Sequence, residues 1–451
     1  ILCTRRPRSV DEHLPWMFHQ MAVRDVPATA VSYETDRMRF IGRTRSVDSP
    51  LAMTEAGALS GSEGSVLDPI VAIRCRITLE AEQTATVDVV SGIATARQEA
   101  LGLIGKYGDR HLSSRVFDLA WTHSWVNLRQ IDASESDAQL YCRMAGSVIY
   151  ANNALRADAA VLTRNRRGQS GLWGYAISGD LPIVLLQIGD IANIELVRQM
   201  VRAHAYWRLK GLAVDLVIWN EDHAGYRQAL QEQIMGLIAA GNSANVTDRP
   251  GGIFVRAVEQ ISAEDRTLFQ SVARLIVTDG RGTLADQISR REPRGSREKA
   301  MPHFVPTRQL MPRTGRAHIN ADPPPAQSSL QFFNGFGGFS SDGQEYIITL
   351  NREKPTPAPW VNVIANSHFG TVISESGAAY SWSENAHEFR LTPWSDDPVS
   401  DSAGEAIYLR DEETGSFWSP TLLPCGGETP YVTRHGFGYS QFEHEEYGIR
   451  S

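Results

Sequence analysis

Apolar and polar residues alternate from residue 73 to 79: Ile73, Cys75, Ile77 and Leu79 fall on one face, Arg74, Arg76 and Thr78 on the other. That is the period of a strand with one wet side. After a turn at 80–83, residues 84–90 regain a strand-forming composition, and the spacing predicts that the two runs pair as a hairpin. Residues 1–95 therefore read as part of an antiparallel β-sandwich. From 96 to 157 the period becomes helical: 97–107, 114–130 and 134–152 carry apolar side chains three and four apart, as at Val116, Leu119 and Ala120. Ser134 with Asp137 three residues later gives the third helix a capped start.

Between 158 and 290 the pattern alternates. Nearly continuous apolar runs at 181–188, 213–219 and 252–256 are each followed by a helical stretch, at 194–210, 225–240 and 263–277. Runs without a polar face belong to strands covered on both sides, so three βα units and a small parallel sheet are predicted. Asp190, Asn220, Glu221 and Glu259 would then gather at the carboxyl edge, where such sheets bind ligands. The same residues serve equally as polar loop ends, and no glycine-rich phosphate turn accompanies them. Residues 291–326, charged at first and ending in Pro323-Pro324-Pro325, read as an interdomain linker. From 327 to 451 short β-rich runs return, among them a predicted hairpin in which 406–410 and 416–419 flank a glycine-ended loop.

Composition narrows the partners. The 451 residues hold 44 Lys and Arg against 52 Asp and Glu, a net charge of −8 spread along the chain. Nucleic acid and anionic membrane need a concentrated basic face and are not expected. The four cysteines, at 3, 75, 142 and 425, lie too far apart for a zinc pair or a disulfide framework, which fits a reducing compartment. No window reaches the roughly 18 apolar residues that would span a bilayer. The start lacks an initiator Met and an apolar leader, and both ends are read as cuts through a longer polypeptide. A half sandwich at each end exposes strand edges and half a core, a hazard that pairing of the halves would remove.

Candidate chemistry is concentrated after residue 327. Trp360, Trp382, Trp394 and Trp418 sit among Asn362, Asn366, Asn385, His387, Arg390 and Asp396. Aromatic faces stack on the C–H faces of sugars while amides, carboxylates and Arg engage hydroxyls, so this mixture suits a glycan site. It suits a tryptophan-filled sandwich core just as well. Glu384, Glu388, Asp396, Asp397 and Asp401 offer carboxylate pairs for a glycosidase, or solvated turns. His368, His387, His435 and His444 have no metal-ligand spacing, and no G-x-S-x-G element occurs. His204 shares a helix face with Val197 and Val201 and reads as a core-edge histidine.

Longer motifs carry a family resemblance. Asn334-Gly335-Phe336-Gly337-Gly338-Phe339, the stretch from Thr356-Pro357-Ala358-Pro359-Trp360 to Asn366, Phe369 to Gly377, Tyr380-Ser381-Trp382-Ser383-Glu384-Asn385-Ala386-His387-Glu388 and Leu391-Thr392-Pro393-Trp394 resemble the opening of a glycosyltransferase family 36 sugar-binding module. Such a module, a β-supersandwich, precedes the barrel of glycoside hydrolase family 94 phosphorylases. Tyr33-Glu34-Thr35-Asp36-Arg37, Leu67-Asp68-Pro69-Ile70, Ile177-Ser178-Gly179-Asp180 and Tyr206-Trp207-Arg208 are similar to the cyclic β-1,2-glucan synthases, which carry two such modules in tandem.

The resemblance implies a multidomain α+β chain. Antiparallel β-supersandwich halves, 1–95 and 327–451, flank a helical connector (96–157), a small α/β subdomain (158–290) and the linker (291–326). It implies a carbohydrate-binding and scaffolding segment for β-1,2-glucan or a related β-glucan made from UDP-glucose by other domains of the same polypeptide. The phosphorolytic acid would lie in an (α/α)6 barrel past residue 451, so no catalytic residue, metal or cofactor is expected here. The segment would be the soluble, cytoplasm-facing part of a bacterial inner-membrane protein, without direct membrane contact. Trp360, Trp382, Asn385, His387, Arg390 and Trp394 are its candidate sugar-facing residues. The alternative is a fragment of a family 94 glucan phosphorylase, with Glu384 and Asp396 as the reacting carboxylates.

Overall fold

A computed structural model of the chain describes residues 1–7, 9–222, 229–240, 246–289 and 330–451; the sequence-read linker and its proline run lie outside these. The chain divides into two compact units, one formed by 1–114 with the described part of 314–451, the other by 115–289. Among the described residues no helix is long and apolar enough to cross a membrane.

The first segment begins with strands β1 (Leu2–Cys3), β2 (Trp16–Arg24) and β3 (Thr29–Asp36), short helices α1 (Arg37–Ile41) and α2 (Leu51–Thr54), strands β4 (Pro69–Arg76) and β5 (Thr86–Ala94), and helix α3 (Arg97–Tyr107). The expected hairpin between the last two strands does not form. β4 pairs with β3, from Thr29↔Arg76 to Asp36↔Pro69, while β5 pairs along its length with β2, from Trp16↔Ala94 to Arg24↔Thr86. Ile73, Arg74 and Cys75 are all half-buried and Leu79, past the end of β4, is exposed, so the alternation marked a strand but fixed neither a core face nor a partner. Helix α3 covers the second sheet, where Phe18, Ala94 and Ala100 form a small core with Leu103 and Ile104. Among the described residues no cation pairs with buried Glu34. Its carboxylate accepts from Thr35 N (2.9 Å), Asp36 N (3.0 Å), Ser60 Oγ (2.6 Å) and Ser62 Oγ.

Helices α4 (Arg110–Gln130), α5 (Glu135–Ile149) and α6 (Ala159–Arg164) follow. Ser134 caps α5 as its spacing predicts: its side chain accepts from Asp137 N, and the Asp137 carboxylate returns to Ser134 N. Then come β6 (Ile183–Ile188), α7 (Ile194–Leu209), β7 (Asp215–Asn220), α8 (Ala229–Ala240), β8 (Ile253–Ala257), α9 (Ala263–Val272), β9 (Leu275–Thr278) and α10 (Leu284–Ser289). The four strands form one parallel sheet in the order β8-β7-β6-β9. Both faces are covered. Val184, Leu186, Leu216 and Ile218 enter one core with Trp207 and Met144, while Ile183, Leu185, Val217 and Trp219 enter the other with Phe254 and Phe269. The helix expected over 263–277 ends at Val272, where Ala273 turns extended, and the following apolar run becomes the fourth strand.

The second segment contributes β10 (Gly337–Phe339), β11 (Tyr346–Leu350), β12 (Val361–Ala365), β13 (Phe369–Ser374), β14 (Ala379–Ser383), β15 (Leu409–Arg410), β16 (Phe417–Trp418), β17 (Tyr431–Gly436), β18 (Tyr439–Glu446) and β19 (Ile449–Arg450). They form a five-stranded sheet β10-β11-β17-β18-β19, a meander β12-β13-β14, and the predicted hairpin of β15 with β16. This segment packs on the first: Tyr408 Oη donates to Val47 O at 2.6 Å, its ring lies 6.2 Å from that of Phe40, and Arg76 pairs with Glu412 at 2.9 Å. These contacts join the two segments within one unit, while each keeps its own buried cluster.

Candidate functional site

Register in the β12-β13-β14 meander decides which side chains share a face. Val363 pairs with Val372 and Val372 with Tyr380; Ala365 pairs with Gly370 and Gly370 with Trp382. One face thus carries Val361, Val363, Val372, Tyr380 and Trp382. On the other face Asn362 donates to Gly436 O (3.0 Å), Tyr439 O (2.8 Å) and Ser440 Oγ (3.1 Å), tying the meander to β17 and β18. Val361 and Val363 consequently point to solvent, 51% and 58% exposed.

Two aromatic rings are laid on this open face. A Cβ at Gly370 would come within 2.2 Å of Trp382 Cζ2, so the indole occupies the space that the absent side chain leaves. Trp394 stacks on Tyr380, with centroids 4.9 Å apart and planes within 10°. Tyr380 is buried beneath it, and Trp394 remains 46% exposed. Trp382 lies 5.4 Å from Tyr380, and Arg390 bridges to Trp382 across the backbone while its Nη1 donates to Trp394 O at 3.3 Å. Arg390 thus shares the strand face of Trp382, and its guanidinium reaches the Trp394 backbone. Three of the six candidates, Trp382, Arg390 and Trp394, meet here around Tyr380, which the sequence reading did not single out. Its signal was Tyr380 and Trp382 at alternate positions, with serines between and after.

The other candidates take different places. Asn385 Oδ1 accepts from His387 N (2.8 Å) and Glu388 N (2.9 Å), forming the turn after β14; His387 itself is exposed, its Nδ1 2.7 Å from Glu388 Oε1. Trp360 packs with Ile348, Leu350, Leu422 and Tyr431, edge-on to Phe336 and Tyr346. Its backbone N–H donates to buried Glu375 at 2.6 Å. Of the carboxylates, Glu384 pairs with His368 at 2.9 Å and Asp396 is exposed on the loop after Trp394. Half-buried Asp401, whose carboxyl pKa desolvation raises, accepts from Ser374 Oγ at 2.7 Å. His435 donates or accepts at Ser440 Oγ and donates to Trp360 O, and His444 stacks on Tyr431 at 3.6 Å; burial lowers both pKa values. Among the described residues no three His, Cys, Asp or Glu gather as a metal site.

The parallel sheet reverses order between β6 and β9, the place where α/β sheets bind ligands. Here the Asp279 carboxylate accepts from both Gly189 N (2.8 Å) and Asp190 N (3.0 Å). A protein carboxylate thus takes the backbone donors that an anion would use. Asp190 caps the next turn through Ala192 N, Asn220 donates to Gln231, and Glu221 accepts from Gln187, so these edge residues close loops.

Residues 1–110 and 344–451 match the glycosyl hydrolase 94 supersandwich domain family. These two segments form a supersandwich domain of that family. The matched segments thus include both the aromatic face and the strands of the first segment, and residues 115–289 intervene between them in the sequence. Over 416 residues, 91% of its length, the chain is 34% identical to a cyclic β-(1,2)-glucan synthase of Rhizobium meliloti (strain 1021). It is also 38% identical over 117 residues, 25% of the chain, to an N,N'-diacetylchitobiose phosphorylase of Vibrio furnissii. A 3-O-β-D-glucopyranosyl-β-D-glucuronide phosphorylase of Paenibacillus borealis is 34% identical over 107 residues, 24% of the chain and 12% of that protein. The chain spans 14% of the length of each of the first two.

Proposed function

We propose that this chain is a glucan-holding and scaffolding segment of a cyclic β-1,2-glucan synthase, facing the cytoplasm and handling β-1,2-glucan that other domains build from UDP-glucose. Similarity along 91% of the chain to a protein named for that activity supports the assignment. The observation that carries the binding role is the Tyr380-supported face of Trp394 beside Trp382 and Arg390. A pyranose lays its C–H face on Trp394, and Arg390 donates to its hydroxyls. An open, flat surface takes residues from the middle of a chain, since nothing closes over the ends. Each aromatic contact is worth roughly 0.5–1.5 kcal/mol beyond its buried area, so a two-ring platform gives affinity of about millimolar strength.

Calorimetric titration with β-1,2-glucan oligosaccharides tests this. Binding should weaken at least tenfold in Trp394→Ala and in Trp382→Ala. No heat with millimolar glucan, or affinity unchanged from the unsubstituted chain in both variants, would refute the role. Release of glucose 1-phosphate from glucan and phosphate would instead support the phosphorylase alternative built on Glu384 and Asp396.

A further inference from the structure

The inner face of the same meander closes a cleft of about 550 Å3 whose walls come from both segments of the supersandwich. Phe18 forms part of the apolar lining; its ring lies against Gly92, where a Cβ would approach to 2.5 Å. Leu103 adds to it from helix α3, and Phe369 and Phe389 come from the second segment. The charged lining groups are Glu99, Glu384 and His368, with neither Lys nor Arg among the lining residues. Both carboxylates are held in place. Glu99 accepts from Thr95 N (3.0 Å) and Thr95 Oγ1 (2.8 Å), which also keeps its pKa below the usual carboxylate range, and Glu384 is braced by His368 Nδ1 at 2.9 Å.

We propose that this cleft is a second saccharide site that takes an uncharged pyranose unit, and that its occupation clamps the two segments of the supersandwich together. The volume lies in the range of small-molecule sites, and walls of phenylalanine meet the C–H face of a sugar. Two fixed carboxylates supply acceptors for hydroxyl donors. The same pair, with no Lys or Arg among the lining residues, disfavours phosphate, so inorganic phosphate and sugar nucleotides should bind less well than a neutral sugar. Because Phe18, Leu103 and Glu99 belong to one segment and Phe369, Glu384 and Phe389 to the other, a bound sugar touches both. It therefore stabilises their association by linkage.

That the sugar is β-1,2-linked glucose rests on the function proposed above; that the cleft takes a neutral sugar does not. The test uses the full chain with three probes: the β-1,2-linked glucose disaccharide, cellobiose and UDP-glucose. In Trp394→Ala, which lacks the outer platform, the β-1,2 disaccharide at a hundredfold excess over its Kd should raise the melting temperature of the supersandwich by about 5 °C. That shift should vanish in Trp394→Ala carrying Glu99→Gln and Glu384→Gln. Stabilisation of Trp394→Ala by cellobiose alone, lost in the same cleft variant, would uphold the cleft and overturn the β-1,2-glucan assignment. No disaccharide-dependent shift in Trp394→Ala, while the unsubstituted chain still binds longer glucan, would overturn the cleft and leave the platform standing. A larger shift with UDP-glucose than with either disaccharide would overturn it as well.

Discussion

His204 is a buried proton switch for the α/β unit, and its effect can be worked out from its surroundings. The imidazole on α7 is fully buried, and its Nε2 lies 3.1 Å from both Val214 O and Gly251 O. Two carbonyls can only accept, so Nε2 carries the proton and Nδ1, which has no partner among the described residues, is bare. Protonation would place a charge and an unmatched N–H in the core. Burial accordingly pulls the pKa down to about 4; the bond to Val214 O opposes this, and the Arg208 charge adds to it. The unfolded chain has an ordinary histidine, so between pH 6.5 and 4 it binds the proton and the folded chain does not. Stability is therefore present above pH 6.5 and is lost as pH falls through that window. From pH 7.5 to 5.0 the loss is about 2 kcal/mol, and it approaches ~3 kcal/mol by pH 4. His204→Gln keeps an N–H donor near the same carbonyls but does not titrate, so its own loss over that range should be smaller by about 2 kcal/mol. Buried Asp215, whose pKa burial raises, titrates in both proteins and drops out of the comparison. Urea unfolding at the two pH values, followed by hydrogen exchange of β6 and β7, reads the α/β unit by itself. Parallel losses in the two proteins, within 0.5 kcal/mol, would refute the reasoning.

Two further perturbations probe the supersandwich. Burial alone would raise the Glu34 carboxyl, but bonds from Ser60, Ser62, Asp36 and Thr35 outweigh it and bring the pKa to about 2. Its contribution is thus complete above pH 4.5 and disappears as pH falls toward 2; Glu34→Gln should cost about 2 kcal/mol at neutral pH and flatten the acid limb of a pH–stability curve. Gly370→Val should drive Trp382 off its seat, weakening glucan titrations at least tenfold while far-ultraviolet dichroism stays unchanged; unaltered affinity would show that the indole's position does not matter.

What the sequence disclosed followed physical range. Local signals were legible: the Ser134 cap, the two-faced apolar runs of β6 and β7, and the loop between β15 and β16 each depend on neighbours within a few residues. Pairing was not. Residues 73–76 and 86–90 have strand character, yet their partners, β3 and β2, are named by nothing in their own alternation. The end of α9 was hidden because Leu268, Phe269 and Val272 run into Leu275, Ile276 and Val277 with helix-compatible spacing; only the β-branched ending favoured a strand. At the site, the tryptophans drew attention as large residues, but exposure separates them: Trp394 lies outermost and Trp360 joins a core, a distinction made by sheet register. The cleft was illegible altogether, since Glu99 and Glu384 face it from opposite segments.

A domain assembled from two separated stretches also has a timetable. During synthesis the first stretch can close its own Phe18 core, but roughly 200 residues must follow before the strands that pack against it exist. At ribosomal speeds that delay is about 10–40 s, far longer than the microseconds in which hydrophobic chains collapse. Until then the surface on which the second segment packs, including Phe40 and Val47, stays uncovered. A slow codon cluster within the α/β stretch would lengthen the wait without altering a single residue of the finished molecule.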